Sequence, residues 1–589
     1  MKTKILSLAV VGAASVALSS CTKEAVSVDR PQGTSSDFSI TAAVPSKTTN
    51  SGMSTLWAAG DAINVYHSAA SAADYTFENP FTITEENLAS NKFTGTMKSE
   101  LDAEASYDWL VLYPYSAEAA SPAAVPVTIG CAASGSQTQS GNDSKAHICG
   151  AALPAWGKAS AVKGSSSVNV SLDNLATLVS FEILNTSSSE SFTLTGIELT
   201  CGDNDLCGEF TVDLTGAAPV YTAVNASKTA VLNVENVSIA KLSTATVTLA
   251  VAPFSSKNFT ITVKGADSYT YTKSFELSSA LTFSAGKVKT LSVKTSADPV
   301  YKCTENVVPM PSSLDGKLSG AVFIDNNRLA YSTISGTTND QLWVYDFSTG
   351  TNTQIAWLGT GATPWKIAYN ENDGRIYYAS KDKGWIRWID PDTKEGDAAV
   401  KNDDGSTSYF SGRACLDLEF DKDNNMIALF RDSYYLTKFS LSSNYGFSSR
   451  KDGYVNFNSP KQPLAMCKNH NNVLYVAVNN TDGTGSRIFS YDMTSDKLGT
   501  LCWNTGAVNC MMADAENNLW YSNSVNKIYK VTVASDGTGT VSLSLTSDKV
   551  IGWPSSGFQA MELVPSPTAS NEFYVVDNAF NKIHKFSIL

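Results

Sequence analysis

Four histidines are the first candidates for catalysis or metal binding, and they lie far apart: His67, His147, His470 and His584. No His-x-x-x-His, Gly-x-Ser-x-Gly or phosphate-binding glycine loop occurs, so hydrolase and kinase mechanisms lack their usual motifs. The run that begins at Asp421 reads Asp-Lys-Asp-Asn-Asn, like the start of a calcium loop, but Met426 and Asp432 stand where that loop requires Gly and Glu. We therefore predict a hairpin turn there, with no metal site and no cofactor.

Four carboxylates in apolar runs of the C-terminal half are the remaining candidates for acid–base chemistry: Asp417, Glu419, Asp514 and Glu562. A propeller enzyme of the lactonase or lyase kind needs such groups to converge, together with a channel-bound metal. The sequence does not obviously aim these four at one point. Catalysis is therefore kept as a second alternative.

Aromatic rings beside Arg, Asn, Gln and Asp suit a different chemistry, in which the ring stacks on a sugar or peptide and the polar groups hydrogen-bond it. The ligand-binding candidates lie at loop edges of the C-terminal half: Trp365, Trp385, Arg413, Arg431, Asn509, Asn523, Trp553, Gln559 and Asp577. The alternative interpretation is that the aromatic residues pack within the fold.

The ten cysteines indicate both a lipid anchor and possible disulfides. Lys2 and Lys4 precede an apolar run, and Leu18-Ser-Ser-Cys21 matches a bacterial lipobox, so residues 1–20 are predicted to be a lipoprotein signal peptide and 21–36 a flexible tether. Acyl chains on Cys21 would anchor the protein in the outer membrane, with its folded part exposed at the cell surface. Nine cysteines remain; the pairs considered are Cys131 with Cys149, Cys201 with Cys207 and Cys502 with Cys510, and the alternative is that all nine are reduced and buried.

One unit is repeated six times between about Gly320 and Leu589. Each copy has an apolar run, an Asn/Asp-rich turn, and two further runs rich in Tyr, Trp, Val and Ile. The copies open at these runs: Ala321-Val-Phe-Ile, Trp365-Lys-Ile-Ala-Tyr, Leu416-Asp-Leu-Glu-Phe, Leu464-Ala-Met-Cys, Cys510-Met-Met-Ala and Gln559-Ala-Met-Glu-Leu. This period predicts a six-bladed β-propeller over residues 304–589, closed by a strand near Val307-Val-Pro-Met. The runs Asp514 to Val531 and Phe573 to Phe586 resemble NHL-type repeats, which implies an architecture and no particular activity.

Residues 37–298 alternate apolar and polar positions with frequent turns, which predicts β-sandwiches at 37–165 and 166–298 and an all-β protein. Several phrases resemble the fimbrillin family of lipoprotein pilins: Trp57-x-x-Gly-Asp-x-Ile-x-Val65, Leu172 to Ile183, Gly208-x-Phe-x-Val-Asp-Leu214 and Phe283-x-Ala-Gly-Lys287. The resemblance implies two tandem transthyretin-like sandwiches and assembly with pilus subunits by strand exchange. The propeller departs from that family and makes a polymerising stalk subunit a poor fit.

The net charge of −13 supplies no basic surface for phosphates, so no nucleic-acid partner is expected. Together these patterns predict a non-catalytic surface lipoprotein, a fimbrial tip or accessory subunit whose propeller binds a glycan or a protein for adhesion. The first alternative is a lipoprotein that captures glycans for nutrient uptake.

Overall fold

The computed structural model describes residues 37–43, 57–69, 74–98, 101–102, 104–148, 153–163, 167–335, 339–359, 362–380, 386–399, 414–431, 433–441, 447–457, 461–480, 486–502, 505–523, 527–534, 538–554 and 556–589. These residues form an all-β structure with one short 3-10 helix, Glu85–Ser90. Within these ranges no helix is long and apolar enough to cross a membrane.

Eleven strands cover the N-terminal region. In chain order they are β1 Asp37–Ala43, β2 Ala62–Ala69, β3 Thr76–Phe77, β4 Phe81–Ile83, β5 Lys92–Thr96, β6 Ser106–Tyr113, β7 Val125–Ile129, β8 Gln137–Ser140, β9 Ala155–Lys163, β10 Ser167–Ser171 and β11 Asp173–Asn174. All but β7 and β8 join one nine-stranded sheet, in the order β10-β1-β5-β4-β2-β6-β9-β11 with β3 beside β2.

This sheet curls until β10 contacts β9, near its other end. Gly157 on β9 permits the approach, because a Cβ atom there would lie 2.3 Å from the Ser171 carbonyl oxygen. The enclosed core includes Phe38, Phe93 and Trp109, and β1 buries alternate side chains as the period-two pattern predicts. Burial of each such side chain contributes about 1.5–3 kcal/mol.

Nine strands follow: β12 Thr177–Leu184, β13 Phe192–Thr200, β14 Cys207–Asp213, β15 Val220–Ser227, β16 Thr229–Ile239, β17 Thr244–Val251, β18 Phe254–Gly265, β19 Thr270–Phe283 and β20 Val288–Lys294. They build sheets in the orders β17-β12-β20, β19-β18-β13-β16-β8 and β15-β14-β7. The core between them contains Phe181, Leu232, Val247 and Phe283.

Two stretches of chain pair across the boundary expected at residues 165 and 166. Strand β10 pairs with β1 in the first sheet, whereas β7 and β8 pair with β14 and β16 of the second region. A shared core that includes Leu110, Val125 and Phe210 joins the two regions. Residues 125–140, which leave the first sheet after β6 and precede β9, are therefore an insertion built into the second region.

Side chains of this insertion cover the free edge of β17. Gln137 Nε2 donates to the Ala250 carbonyl at 2.7 Å, and its Oε1 accepts from the Ala250 amide at 2.9 Å. Gln139 Oε1 accepts from the Thr248 amide at 2.8 Å. An uncovered edge would leave buried backbone groups unpaired, so these amides act in place of a neighbouring strand.

The last twenty-five strands form the propeller. Blades 1 to 3 contain β22 Lys317–Phe323, β23 Arg328–Ile334, β24 Asp340–Asp346, β25 Thr351–Gly359; β26 Pro364–Asn370, β27 Arg375–Ser380, β28 Ile386–Ile389, β29 Gly396–Ala399; β30 Cys415–Phe420, β31 Asn425–Phe430, β32 Tyr435–Leu441, β33 Phe447–Asn456. Blades 4 to 6 contain β34 Lys461–Lys468, β35 Val473–Asn480, β36 Ser486–Asp492, β37 Lys497–Cys502; β38 Val508–Ala513, β39 Leu519–Asn523, β40 Lys527–Val533, β41 Gly539–Leu545; β42 Val550–Ile551, β43 Ala560–Pro565, β44 Glu572–Asp577, β45 Lys582–Ile588, with β21 Tyr301–Thr304.

The strand that closes the ring differs from the prediction. Blade 6 has the order β43-β44-β45-β21-β42, so Tyr301–Thr304 supplies the closing strand. The predicted segment follows it along the same edge, where the Val307 amide donates to the Ile583 carbonyl of β45 at 2.9 Å. Tyr301 and Cys303 alternate into the core between blades, while Val308 is buried against blade 1 in a separate cluster. Two apolar segments, Tyr301–Thr304 and the one near Val307, lie close together in the sequence. Only in Tyr301–Thr304 do buried and exposed side chains alternate as in a strand.

Cys131, Cys201 and Cys207 carry free thiols, and the pairing of Cys201 with Cys207 stays a prediction. The Cys201 thiol donates to the Asn258 carbonyl at 3.6 Å. Cys149 and the Cys502 side chain lie outside the described part, as does Cys21. In the propeller Cys303, Cys415, Cys467 and Cys510 are buried.

Candidate functional site

The antiparallel order of each blade gives the propeller two different faces. Connections between first and second strands and between third and fourth strands lie on one side, which we call the turn face. Those between second and third strands and those leading to the next blade lie on the other, which we call the loop face. Among the described residues the turn-face connections are short, the longest being 390–395 and 566–571, whereas the loop face includes residues 305–316.

Side-chain oxygens at the turns of the turn face accept hydrogen bonds from the backbone of the same turn. The carboxylate of Asp421 accepts from the amides of Asp423 at 3.0 Å and Asn425 at 2.8 Å. Equivalent side-chain oxygens of Asp325, Asn370, Asn469 and Asp514 do the same in their blades. Positive φ angles occur where the Asn/Asp pattern predicts them: Asn424, Asn472, Asn517 and Gly374.

Asp421 belongs to such a hairpin turn, as predicted. Asn425 and Lys438 engage its carboxylate, with Lys438 Nζ at 2.6 Å. Asp514 is likewise a turn residue placed after the end of β38, and it accepts from Trp520 Nε1 at 2.9 Å. The described residues contain no group of three His, Cys, Asp or Glu side chains placed to hold a metal ion.

The chain enters the propeller at the turn-face end of β45. There the Leu589 amide donates to the Val300 carbonyl at 2.8 Å, and Lys294 Nζ on β20 donates to the Leu589 carbonyl at 2.9 Å. The loop-face connections lie at the opposite ends of the β44 and β45 strands. The N-terminal region, strands β1 to β20, therefore joins the propeller on the side away from the loop face.

The predicted binding residues separate into surface and buried groups. Trp365, Arg431 and Asn509 are half-buried at the loop face, and Gln559 is exposed there. Trp365 packs against the apolar cluster that contains Leu318, so part of its ring is in contact with the core and only the rest can contact a ligand. Trp385 and Arg413 lie outside the described residues.

Three other predicted residues have roles inside the fold. Asp577 is fully buried, and its carboxylate accepts from the amides of Gln559 at 3.1 Å and Ala579 at 3.0 Å. Trp553 packs edge-on against Phe558 and Phe586. The Asn523 amide is also buried, with Nδ2 lying 3.4 Å from the Tyr529 hydroxyl.

Two exposed aromatic residues on the loop face were not among the predicted set. Tyr434, between β31 and β32, is 41% exposed, and Phe580, between β44 and β45, is 44% exposed. Phe580 lies beside Gly557, and the neighbouring Asn578 amide donates to the Gln559 carbonyl, so Phe580 and Gln559 share one patch. Exposed rings next to an amide suit a stacked, hydrogen-bonded ligand. In the sequence, each of these residues is an aromatic residue within a polar turn, and this feature could have indicated it as a binding candidate.

Charged groups in the channel link the innermost strands. Lys366 on β26 reaches Glu562 on β43, with Nζ 2.6 Å from Oε2, and so spans the position of blade 1. Asp417 on β30 accepts from the Met466 amide on β34 at 2.9 Å, and Glu419 accepts from the Lys468 amide at 3.3 Å. Three of the four carboxylates considered for catalysis, Asp417, Glu419 and Glu562, thus connect blades to one another.

Burial raises the pKa values of these carboxylates. It raises the pKa of Glu562 to about 7 and that of Asp417 to about 6, with Lys366 acting in the opposite direction on both. Burial raises the pKa of Glu419 to about 8, opposed by Lys468 and assisted by Asp417. Asp417, Glu419 and Glu562 therefore influence one another, which the sequence did not show.

No protein-family model and no curated protein sequence matches the chain. Among solved structures, one of a Bacteroides thetaiotaomicron protein of unknown function aligns at 9% identity over 77% of this chain and 96% of that one, with a TM-score of 0.35. A candidate cell adhesion protein from Bacteroides ovatus aligns at 14% identity over 45% and 94%, with a TM-score of 0.33. A luciferin-regenerating enzyme aligns at 12% identity over 49% and 95%, with a TM-score of 0.35. At these scores the alignments carry no argument about activity.

Proposed function

We propose that this protein is a non-catalytic capture protein of the cell surface, in which the loop face of the propeller binds a glycan or a protein. The observation that carries the proposal is the placement of two exposed aromatic residues, Tyr434 and Phe580, on the face opposite the chain entry. Loops held on a rigid scaffold are common binding elements. On the turn face, by contrast, the carboxylates of Asp421 and Asp514 are paired within their own turns.

In this proposal a lipid on Cys21 anchors the chain in the outer membrane, and the fimbrillin-like sandwiches act as a spacer. The attachment at Val300 and Leu589 leaves the loop face directed away from that spacer. Such an arrangement suits adhesion by a fimbrial tip or accessory subunit. Neighbouring pilus subunits would join through strand exchange in the sandwich region.

The test is a screen of the full chain on glycan and surface-protein arrays, followed by affinity measurement for each ligand found. The double variant Tyr434→Ala, Phe580→Ala should bind at least about tenfold more weakly, since loss of 1.4 kcal/mol of contact energy lowers affinity by that factor. Trp357→Ala is the matched control, because Trp357 is 57% exposed but lies on β25, the outermost strand of blade 1.

Equal losses in the double variant and the control would contradict a site on the loop face. Failure of the folded full chain to bind any ligand on either array would contradict capture itself. Retained binding by the double variant would place the contact elsewhere on the molecule.

A second candidate function, lactonase- or lyase-like catalysis, is favoured by the raised pKa values of the channel carboxylates, which hold protons close to neutral pH. Its test is turnover of a lactone panel by the full chain at pH 6 to 8, with Asp417→Asn as the comparison. Turnover abolished by that substitution, while the fold is retained, would favour the enzyme over the capture protein.

A further inference from the structure

The insertion brings two cysteines together that are far apart in the sequence. Strands β7 and β14 pair antiparallel, with Ile129 opposite Gly208. Cys131 follows that pair on one strand and Cys207 precedes it on the other. A Cβ atom placed on Gly130 would lie 3.4 Å from the Cβ of Cys207, which shows how closely the strands approach.

The Cys131 side chain packs against the apolar core cluster that contains Cys207, and the two thiols interact with each other. Cys207 is fully buried and also donates to the Thr229 carbonyl at 3.5 Å, whereas Cys131 is half-buried at the rim of the core. Cys201 has other partners, since its sulfur donates to the Asn258 carbonyl and accepts from Asn204 Nδ2 at 3.4 Å. The contact thus selects one pair among the three described thiols of this region.

We propose that Cys131 and Cys207 are a disulfide-forming site that fastens the insertion to the second sandwich region. Cys207 lies one position beyond the Ile129–Gly208 pair and Cys131 two positions beyond it, so both residues are at the same end of the paired strands and the site requires no large strand movement. It differs from the sequence-based pairings of Cys131 with Cys149 and of Cys201 with Cys207.

The two thiols have unequal roles in the reaction. The hydrogen bond from Cys207 lowers the pKa of Cys131, while the same contact and burial raise the pKa of Cys207. Cys131 thiolate is therefore the attacking group on an oxidising disulfide, R–S–S–R, releasing one thiol and forming a mixed disulfide. Cys207 then loses its proton and attacks the Cys131 sulfur, releasing the second thiol. Two protons and two electrons pass from the cysteines to the oxidant, which leaves as two R–SH.

Closing this bond ties together chain segments separated by all of β8 to β13. A crosslink over so long a loop restricts the unfolded chain strongly. For a region of this size the expected rise in Tm is about 5–15 °C. The insertion would then remain attached to β14 even when the first sheet opens.

The test uses the purified full chain, folded and treated with oxidised glutathione, then alkylated, digested without reduction and analysed by mass spectrometry. The expected product is a single crosslinked peptide pair that contains Cys131 and Cys207, with the Tm raised relative to the reduced chain. Cys131→Ser should abolish both effects. Cys201→Ser is the matched control and should keep both.

A crosslink that contains Cys201 or Cys149 in place of either residue would overturn the assignment. Free, alkylated Cys131 and Cys207 in the folded, oxidised chain would overturn it as well. If Cys131→Ser alters folding, the crosslink and its Tm rise in the Cys201→Ser chain still decide the matter, because that variant retains both proposed thiols.

Discussion

The propeller and the N-terminal region, residues 37–298, arrange their strands in opposite ways. Each of the first five blades consists of four strands that are consecutive in the sequence, and only blade 6 takes a distant strand. In the sandwich region β12 pairs with both β17 and β20, and β16 pairs with β8, nearly a hundred residues earlier. The blades contact one another through side chains, in apolar clusters between neighbouring blades and in a few charged groups of the channel. The N-terminal region is held by backbone pairing between strands distant in the sequence.

The largest effect expected from this difference is a loss of propeller stability when the channel residue Lys366 is substituted. In Lys366→Met, Glu562 loses the cation that lies 2.6 Å away while remaining buried, so we expect the propeller to lose about 3–5 kcal/mol of stability. The measurement is hydrogen exchange along a urea series, resolved by peptide, so that both regions are followed in the same chain.

The double variant Lys366→Met, Glu562→Leu is the control, because an apolar pair of similar volume removes the unpaired charge. It should recover most of the loss. An equal loss in the sandwich peptides would show that the two regions unfold together, and a loss below about 1 kcal/mol would show that the channel ion pair does not hold the blades.

The same difference explains how much the sequence predicted. In the propeller each hairpin turn depends on a few adjacent residues, so the positions of Asn424, Asn472 and Asn517 followed from the repeat. The closing strand was placed at Val307 instead of Tyr301–Thr304, because its partner β45 is at the other end of the chain. Local signals therefore predicted the blades but not the closure.

The candidate site was predicted less well, for a related reason. Asp577 and Gln559 stand in equivalent-looking loops, yet one is fully buried and the other exposed, and only the packing of blade 6 distinguishes them. Phe580 and Tyr434 lie in loops that the repeat assigns to the binding face, but the sequence did not distinguish these two residues from the others in those loops. Lys366 was not identified either, because its role depends on Glu562 two blades away.

A smaller effect is expected where the insertion covers β17. Gln137→Ala removes both hydrogen bonds to Ala250, and the buried amide and carbonyl would lack partners, at a cost of about 1–3 kcal/mol. The loss should appear as faster exchange in β7, β8 and β17 together, with the propeller unchanged.

Thr138→Ala is the matched control for that substitution, since Thr138 is exposed on the same strand between two buried glutamines. It should leave exchange in β17 unaltered. Faster exchange in β17 but not in β7 and β8 would mean that the insertion is held to the second region by something other than these side chains.

The smallest effect is a pH dependence confined to the propeller. Burial raises the pKa of Glu419 to about 8, so the folded protein retains this proton over a range in which the unfolded chain, titrating near 4.5, has released it. The unfolded state then binds fewer protons than the folded state, and propeller stability should fall as the pH rises from about 4.5 through 8.

The test of this pH dependence is the variant Glu419→Gln, in which the propeller unfolding transition should change less with pH between 5.5 and 8.5. Glu395→Gln, at an exposed turn-face position, should leave the pH dependence unchanged. Thermal unfolding at several pH values, followed by peptide-resolved exchange, measures this. If wild type and Glu419→Gln respond equally, the channel carboxylates are hydrated enough to ionise normally, and the blades are held by packing more than by the channel groups.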